Sequence, residues 1–217
     1  NIITTDVELA QLVTAIAGGT GPIALDAERA SGFKYSQRAY LIQLRRAGSG
    51  SHLLDPTCFA NLEPLQESLT GVDWILHAAS QDLVCLAEVG LKPTANLFDT
   101  ELAGRILGLP RVGLGPLVET QLGFSLAKEH SAADWSTRPL PDSWLNYAAL
   151  DVEFLIELWE LLATQLQAAE KYTWAIQEFD HVKRTTVPIE RVDPWRRTSG
   201  MHVIRKPREL AVVREVW

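Results

Sequence analysis

Short apolar runs alternate with stretches of helical period along most of the chain, and that alternation leaves few architectures open. Ile23-Ala24-Leu25, residues 39–44, residues 52–54 and Trp74-Ile75-Leu76 are too short for helices and read as strands. The second and third are joined by Gly48-Ser49-Gly50, which predicts a hairpin. Helical spacing occupies residues 6–17, with Asp6 placed to cap and Gly18-Gly19 to stop it, then 62–69, 80–89, 100–107 and 114–122. Leu97-Phe98 is a further short strand. Residues 125–140 are polar and without clear period. Pro141-Asp142 opens one long amphipathic helix to about residue 169, with Leu145, Ala148, Ala149, Val152, Leu155, Ile156 and Trp159 as its inward stripe. A meander followed by alternating strand and helix predicts an α/β protein, a mixed sheet of about five strands with helices on both faces.

The chain has 217 residues, 47% of them hydrophobic and 22% charged, enough for one sizeable core. No apolar run approaches the roughly 20 residues that span a bilayer, and the opening NIITTDVELA has no signal-peptide pattern. No membrane partner is expected. Cys58 and Cys85 form no CxxC and cannot make a zinc site alone; with no disulfide needed at this size, they indicate a reducing, cytoplasmic context. The chain does not begin with Met, which suggests a processed or excised piece. The net charge of -7 argues against non-specific coating of nucleic acid, since phosphate neutralisation needs Lys and Arg. The charge is uneven, however: residues 1–180 carry a net of -12 and residues 181–217 a net of +5. That fits a carboxylate-rich metal site beside a phosphate-binding arm, or equally a solvated acidic surface with a basic terminus.

There is no Gly-rich phosphate loop, GxSxG or HExxH, so the chemistry is sought among acidic residues. Asp-x-Glu occurs three times, at Asp6, Asp26 and Asp151. The first and third fall on predicted helices, where positions two apart diverge by about 200°. Only Asp26 and Glu28, on a strand, leave from one face. Paired oxygens at a strand end suit a hard divalent cation. Tyr147 and Asp151 share a helix face one turn apart, beside the apolar stripe, an expensive place for an unpaired carboxylate. Asp82 falls in a first helical turn, where the dipole alone explains an acid, and His77 reads as a packed histidine at a strand end.

The order Asp26-x-Glu28, then Asp82 after an apolar strand and His77-x-x-Ser80, then Tyr147-x-x-x-Asp151 resembles the three motifs of the DEDDy exonucleases, and within them ribonuclease D. The resemblance covers residues 3–167 and includes Leu41-Ile42-Gln43-Leu44, Asp99-Thr100, Asp134-Trp135 and Arg138-Pro139-Leu140. It implies a ribonuclease H-like fold whose first three strands are antiparallel. It also implies a 3'-5' exonuclease that hydrolyses the 3'-terminal phosphodiester of single-stranded RNA with two divalent cations, Mg2+ or Mn2+. Asp26 would bridge the cations, Glu28 and Asp151 would complete the site of the attacking water, Asp82 would hold the second cation, and Tyr147 would orient the water. Four such acids repel one another when empty, so at least one should have a raised pKa.

Residues 1–170 would form the catalytic domain and 171–217 a basic linker leading into a helical C-terminal domain. The linker carries Pro188, Pro194 and Pro207, and its final helix from Pro207 runs to the last residue. Lys128, Arg138, Phe33, Tyr35 and Tyr40 could contact phosphate or stack on bases, or be ordinary surface and packing. Trp135 is expected in the core, and the protein is expected to be a monomer. Ala27 and Arg29 stand where ribonuclease D commonly has a threonine and an aromatic, which leaves RNA against DNA open. An inactive nucleic-acid-binding scaffold of the same fold is the other alternative, although such relatives usually lose a carboxylate and this chain keeps all four.

Overall fold

The computed structural model describes residues 2–30, 33–34, 37–126, 133–186 and 192–216. In chain order the elements are β1 (Ile2–Ile3), α1 (Asp6–Gly18), β2 (Thr20–Arg29), β3 (Ala39–Ala47), β4 (Gly50–Leu54), α2 (Glu63–Ser68), β5 (Trp74–Leu76), α3 (Asp82–Glu88), β6 (Leu97–Asp99), α4 (Thr100–Leu107), α5 (Leu114–Leu122), α6 (Asp142–Glu153), α7 (Leu155–Ala168), α8 (Tyr172–Thr185) and α9 (Pro207–Val216). They fall into two compact units, residues 1–187 and 188–217.

The sheet of the first unit has the order β1-β4-β3-β2-β5-β6. β2, β3 and β4 form an antiparallel meander, and β5 and β6 continue it parallel to β2. That is the arrangement the resemblance implied, with six strands rather than five. The extra strand, β1, pairs parallel with β4 through only Ile2 and Ile3, too short to leave a periodic signal.

β2 alternates with period two, and the alternation sorts its residues between two layers. Ile23, Leu25 and Ala27 face a core shared with Leu9, Leu12 and Ile16 of α1, Leu65 of α2 and Leu83 and Leu86 of α3. Ala24, with Ile75 and Phe98, packs against α4, α5, α7 and α8, and Leu41 and Leu53 pack with Ala148, Trp135 and Leu140. Each fully buried aliphatic side chain contributes about 1.5–3 kcal/mol. Trp135 is fully buried, as expected, with its ring edge-on to Trp144 at 5.3 Å.

Three local readings change. α1 is capped by Thr5, not Asp6: Thr5 Oγ1 accepts from the Glu8 N–H and the Glu8 carboxylate accepts from the Thr5 N–H, a reciprocal capping box. The long helix expected from 141 to 169 is two helices, parted at Phe154 (φ -112°, ψ 3°). Arg45 Nη1 donates to the Glu153 carbonyl, the Arg45 guanidinium grips Glu157 at 2.8 and 3.0 Å, and Ser51 Oγ donates to Glu153 at 2.8 Å. The tertiary clamp takes the carbonyl that a continuous helix would have used. Residues 172–185, expected as linker, form α8: Phe179 is fully buried and its ring lies 4.7 Å from Phe98.

In the second unit two 3-10 turns, Pro194–Arg197 and Met201–Val203, precede α9. Arg196 is bound to Asp193 at 3.0 Å, and its guanidinium lies 4.5 Å from the centre of the Trp195 ring. Among the described residues no helix is long and apolar enough to cross a membrane.

Candidate active site

The topology delivers three of the four acids to one place. Asp26 and Glu28 lie on one face of β2, opposite Gln43 and Leu41 of β3, and a register shift follows between Glu28 and Arg29. α6 crosses that face and brings Asp151, so that carboxylate oxygens of Asp26, Glu28 and Asp151 lie within 4.8 Å of one another. Tyr147, one turn earlier on α6, is hydrogen-bonded through its hydroxyl to Asp151. Asp82 opens α3, directly after the β5 turn, and is 6% exposed. Its charge is felt by Glu28, and those of Asp26 and Asp151 act on it. Asp26 and Glu28 are placed by a strand, and Asp82 and Asp151 by helices, rather than by loops.

Their electrostatics is that of a site built for a cation. Burial pushes the Asp26 pKa up to about 6, against the Ala27 N–H and the Arg29 charge that lower it. Burial, then the charges of Asp26, Asp151 and Asp82, take Glu28 to about 9. Burial and then Asp26 take Asp151 to about 8, and burial with Asp26 holds Asp82 well above the carboxylate range. The expected raised pKa is thus shared by all four acids. An all-oxygen donor set of this kind fits a hard divalent cation, whose positive charge would offset the repulsion. Among the described residues, Arg29 is a cation whose charge lowers Asp26, Glu28 and Asp82. Burial and the neighbouring carboxylates raise Tyr147 above its ordinary value, so its phenol keeps its proton at neutral pH.

Around the site, the role of Arg138 differs from the one proposed on sequence. Burial lowers His77 to about 4, and its Nδ1 is hydrogen-bonded to Thr100 Oγ1 at 2.9 Å, the packed histidine expected. Arg138 is not available to a phosphate: its five N–H groups donate to both Asp55 oxygens (2.6 and 2.8 Å) and to the carbonyls of Trp135, Thr137 and Tyr40 (each 2.8 Å). Its sequence context, a polar stretch before Pro139, gave no hint of the distant partner Asp55. Tyr40 is half-buried in the Trp135 layer, and Phe33 is 56% exposed. Lys128 and Tyr35 lie outside the described residues. Sequence reasoning missed Arg45, Asp55 and the full role of Asp99, since each acts through partners far away in the chain.

A family model described as 3'-5' exonuclease matches residues 1–167. Ribonuclease D of Jannaschia sp. strain CCS1 is 32% identical over 231 residues, covering 99% of this chain and 58% of that protein. Ribonuclease D of Escherichia coli K12 is 32% identical over 217 residues, covering 97% of this chain and 56% of that protein. The crystal structure of E. coli RNase D, described as an exoribonuclease involved in structured RNA processing, gives a TM-score of 0.76 at 30% identity, covering 99% of this chain and 57% of that one. A protein from Bifidobacterium adolescentis gives 0.87 at 43%, covering all of this chain and 54% of that one. The chain therefore spans about half the length of the ribonuclease D proteins it matches, from 41% to 58%. With the mixed sheet of a ribonuclease H-like fold, a cluster of carboxylates at its centre and a family match over most of its length, the chain belongs to the 3'-5' exonuclease family.

Proposed function

We propose that this chain is the catalytic part of a metal-dependent exoribonuclease. It removes nucleotides from the 3' end of single-stranded RNA as nucleoside 5'-monophosphates, in 3'-end processing of tRNA and other transcripts. The observation that carries the reading is the convergence of Asp26, Glu28 and Asp151 within 4.8 Å, with Tyr147 on Asp151. Asp26, Glu28, Asp151 and Asp82 would hold two divalent cations, Mg2+ or Mn2+. When bound, these supply Lewis-acid stabilisation of the attacking and leaving oxygens of an in-line displacement.

The chain's own residues then do the positioning. Asp26 faces the other acids from the middle of the sheet and is the natural shared ligand. The Tyr147 phenol stays protonated and cannot serve as a base. Its hydroxyl fixes the Asp151 carboxylate and orients the attacking water by hydrogen bonding. The reaction consumes one water: its oxygen joins phosphorus, the bond from phosphorus to the 3' oxygen breaks, and the shortened RNA retains a 3'-hydroxyl. Residues 188–217 would lead into a helical domain that adds grip on RNA. Asp26→Ala should abolish 3'-end hydrolysis while leaving the melting temperature within a few degrees. Unchanged turnover in that variant contradicts the assignment, and parallel RNA and DNA substrates decide which polymer is preferred.

A further inference from the structure

The turn that delivers Asp82 is held from outside its own helix. Between β5 and α3 the chain passes through Ala78, whose φ of 56° lies in the left-handed region that a residue with a Cβ seldom adopts. Such a conformation persists where the surroundings over-determine it, and it gathers at functional sites. Here the determining group is one carboxylate, 4% exposed, at the end of β6. Asp99 Oδ1 accepts from the Ala78 N–H at 3.1 Å, and Oδ2 accepts from the Ala79 N–H at 2.9 Å. The same Oδ1 caps α4, accepting from the N–H groups of Glu101 and Leu102 at 2.9 and 3.1 Å.

Capping alone would need only one oxygen. The second oxygen serves the turn. The residue it holds is the one from which α3 starts: the N–H of Ala79 is bound to Asp99, and its carbonyl, in the next peptide, accepts from the N–H groups of both Asp82 (3.1 Å) and Leu83 (3.0 Å). A continuous chain of bonds therefore runs from Asp99 through Ala79 to the backbone of Asp82. We infer that Asp99 is a positioning residue: its carboxylate sets the turn at Ala78 and Ala79 and thereby holds the Asp82 side chain against the Asp26 cluster. The inference rests on the reading of Asp82 as a metal-holding carboxylate. His77 and Thr100 add a second tie across the same junction, from Thr100 Oγ1 to the Leu76 carbonyl and the His77 ring, but neither reaches the Ala79 peptide.

Asp99→Asn separates the two duties. The amide keeps one oxygen for Ala78 and the α4 cap, and turns an NH2 toward the Ala79 N–H, where no acceptor remains. Mn2+ affinity of the chain, measured by calorimetry without RNA, should fall about 10–100-fold, the usual effect of losing a group that orients a metal ligand. The Mg2+ concentration for half-maximal hydrolysis of a 5'-labelled RNA should rise by the same factor, with a smaller change in rate at saturating metal. Asp99→Ser, which can still cap α4, should behave alike and serves if the Asn variant does not fold. Thr100→Val, which loosens the junction without touching Ala79, should lower the melting temperature while Mn2+ affinity stays within about threefold. Unaltered Mn2+ affinity in both Asp99 variants, with only their melting temperatures reduced, overturns the inference and leaves the proposed function standing. A parent chain that binds no Mn2+ and leaves RNA intact overturns both.

Discussion

Replacing Arg138 by Met tests whether that cation is a buried clamp or a phosphate contact. In the structure its guanidinium is saturated: two bonds reach Asp55, whose side chain is 3% exposed, and three reach carbonyls, while the Arg138 side chain itself is 32% exposed. Removing one partner of a buried pair leaves an uncompensated charge, with a loss of about 3–5 kcal/mol. Asp55 keeps its bonds from the Thr57 N–H and hydroxyl, and water can approach from the partly exposed side, so the lower end, about 3 kcal/mol, is expected here. For a chain of this size that corresponds to a fall of about 6–12 °C in melting temperature.

The effect should depend on pH in a defined direction. Burial raises the Asp55 pKa, but the bonds from Arg138 and Thr57 outweigh it and hold the group below the ordinary carboxylate value. A depressed folded-state pKa contributes stability above the unfolded value and loses it as pH falls through the folded one. The gap between parent and variant should therefore be full at pH 6–7 and narrow below about pH 4. Denaturant unfolding across that range measures it, alongside KM for a single-stranded RNA at pH 7. A loss below about 1 kcal/mol together with a tenfold rise in KM would refute the clamp and restore Arg138 to the substrate.

Three further outcomes are expected. Because Asp26, Glu28 and Asp151 bind protons more tightly folded than unfolded, metal-free stability should fall as pH rises from about 4 toward 9, and saturating Mg2+ should flatten that slope; a metal-free curve rising over the range contradicts the raised values. Phe179→Ala should destabilise the chain by about 3–5 kcal/mol by emptying the place of α8 against Phe98, whereas a mere linker would tolerate it within about 0.5 kcal/mol. Arg45→Met releases the end of α6 and should lower Mn2+ affinity about tenfold, as read by calorimetry, because Asp151 lies two residues from the clamped Glu153 carbonyl. Affinity equal to the parent's would show that α6 holds its place unaided.

What could be read from the sequence was whatever depends on local period and spacing. The strand bearing Asp26 and Glu28, the helix bearing Tyr147 and Asp151, and the strand before Asp82 carry their own signals, since alternation and helical spacing are properties of a few neighbouring residues. The break at Phe154 carries none: no Gly or Pro stands there, and the cause is Arg45, more than a hundred residues away in sequence. Arg138 could not be told from a solvated phosphate binder, because its defining partner, Asp55, is 83 residues upstream. α8 was read as part of the basic tail, although its own charges balance, Glu178 and Asp180 against Lys183 and Arg184. Tyr172, Ala175, Ile176, Phe179 and Val182 do recur there at helical spacing, and Ala175 and Phe179 are the residues the helix buries. The two duties of Asp99 depend on β5 and β6 lying side by side, which the sheet order reveals and the sequence does not.

The central claim is that this carboxylate cluster, loaded with metal, cuts RNA from the 3' end. A 5'-labelled single-stranded RNA incubated with the chain in Mg2+, in Mn2+ and in EDTA, beside an Asp151→Ala control, tests it most directly. The account expects a ladder shortening from the 3' end in either metal, none in EDTA and none with the variant. A ladder that persists in EDTA or in the Asp151→Ala chain would contradict it.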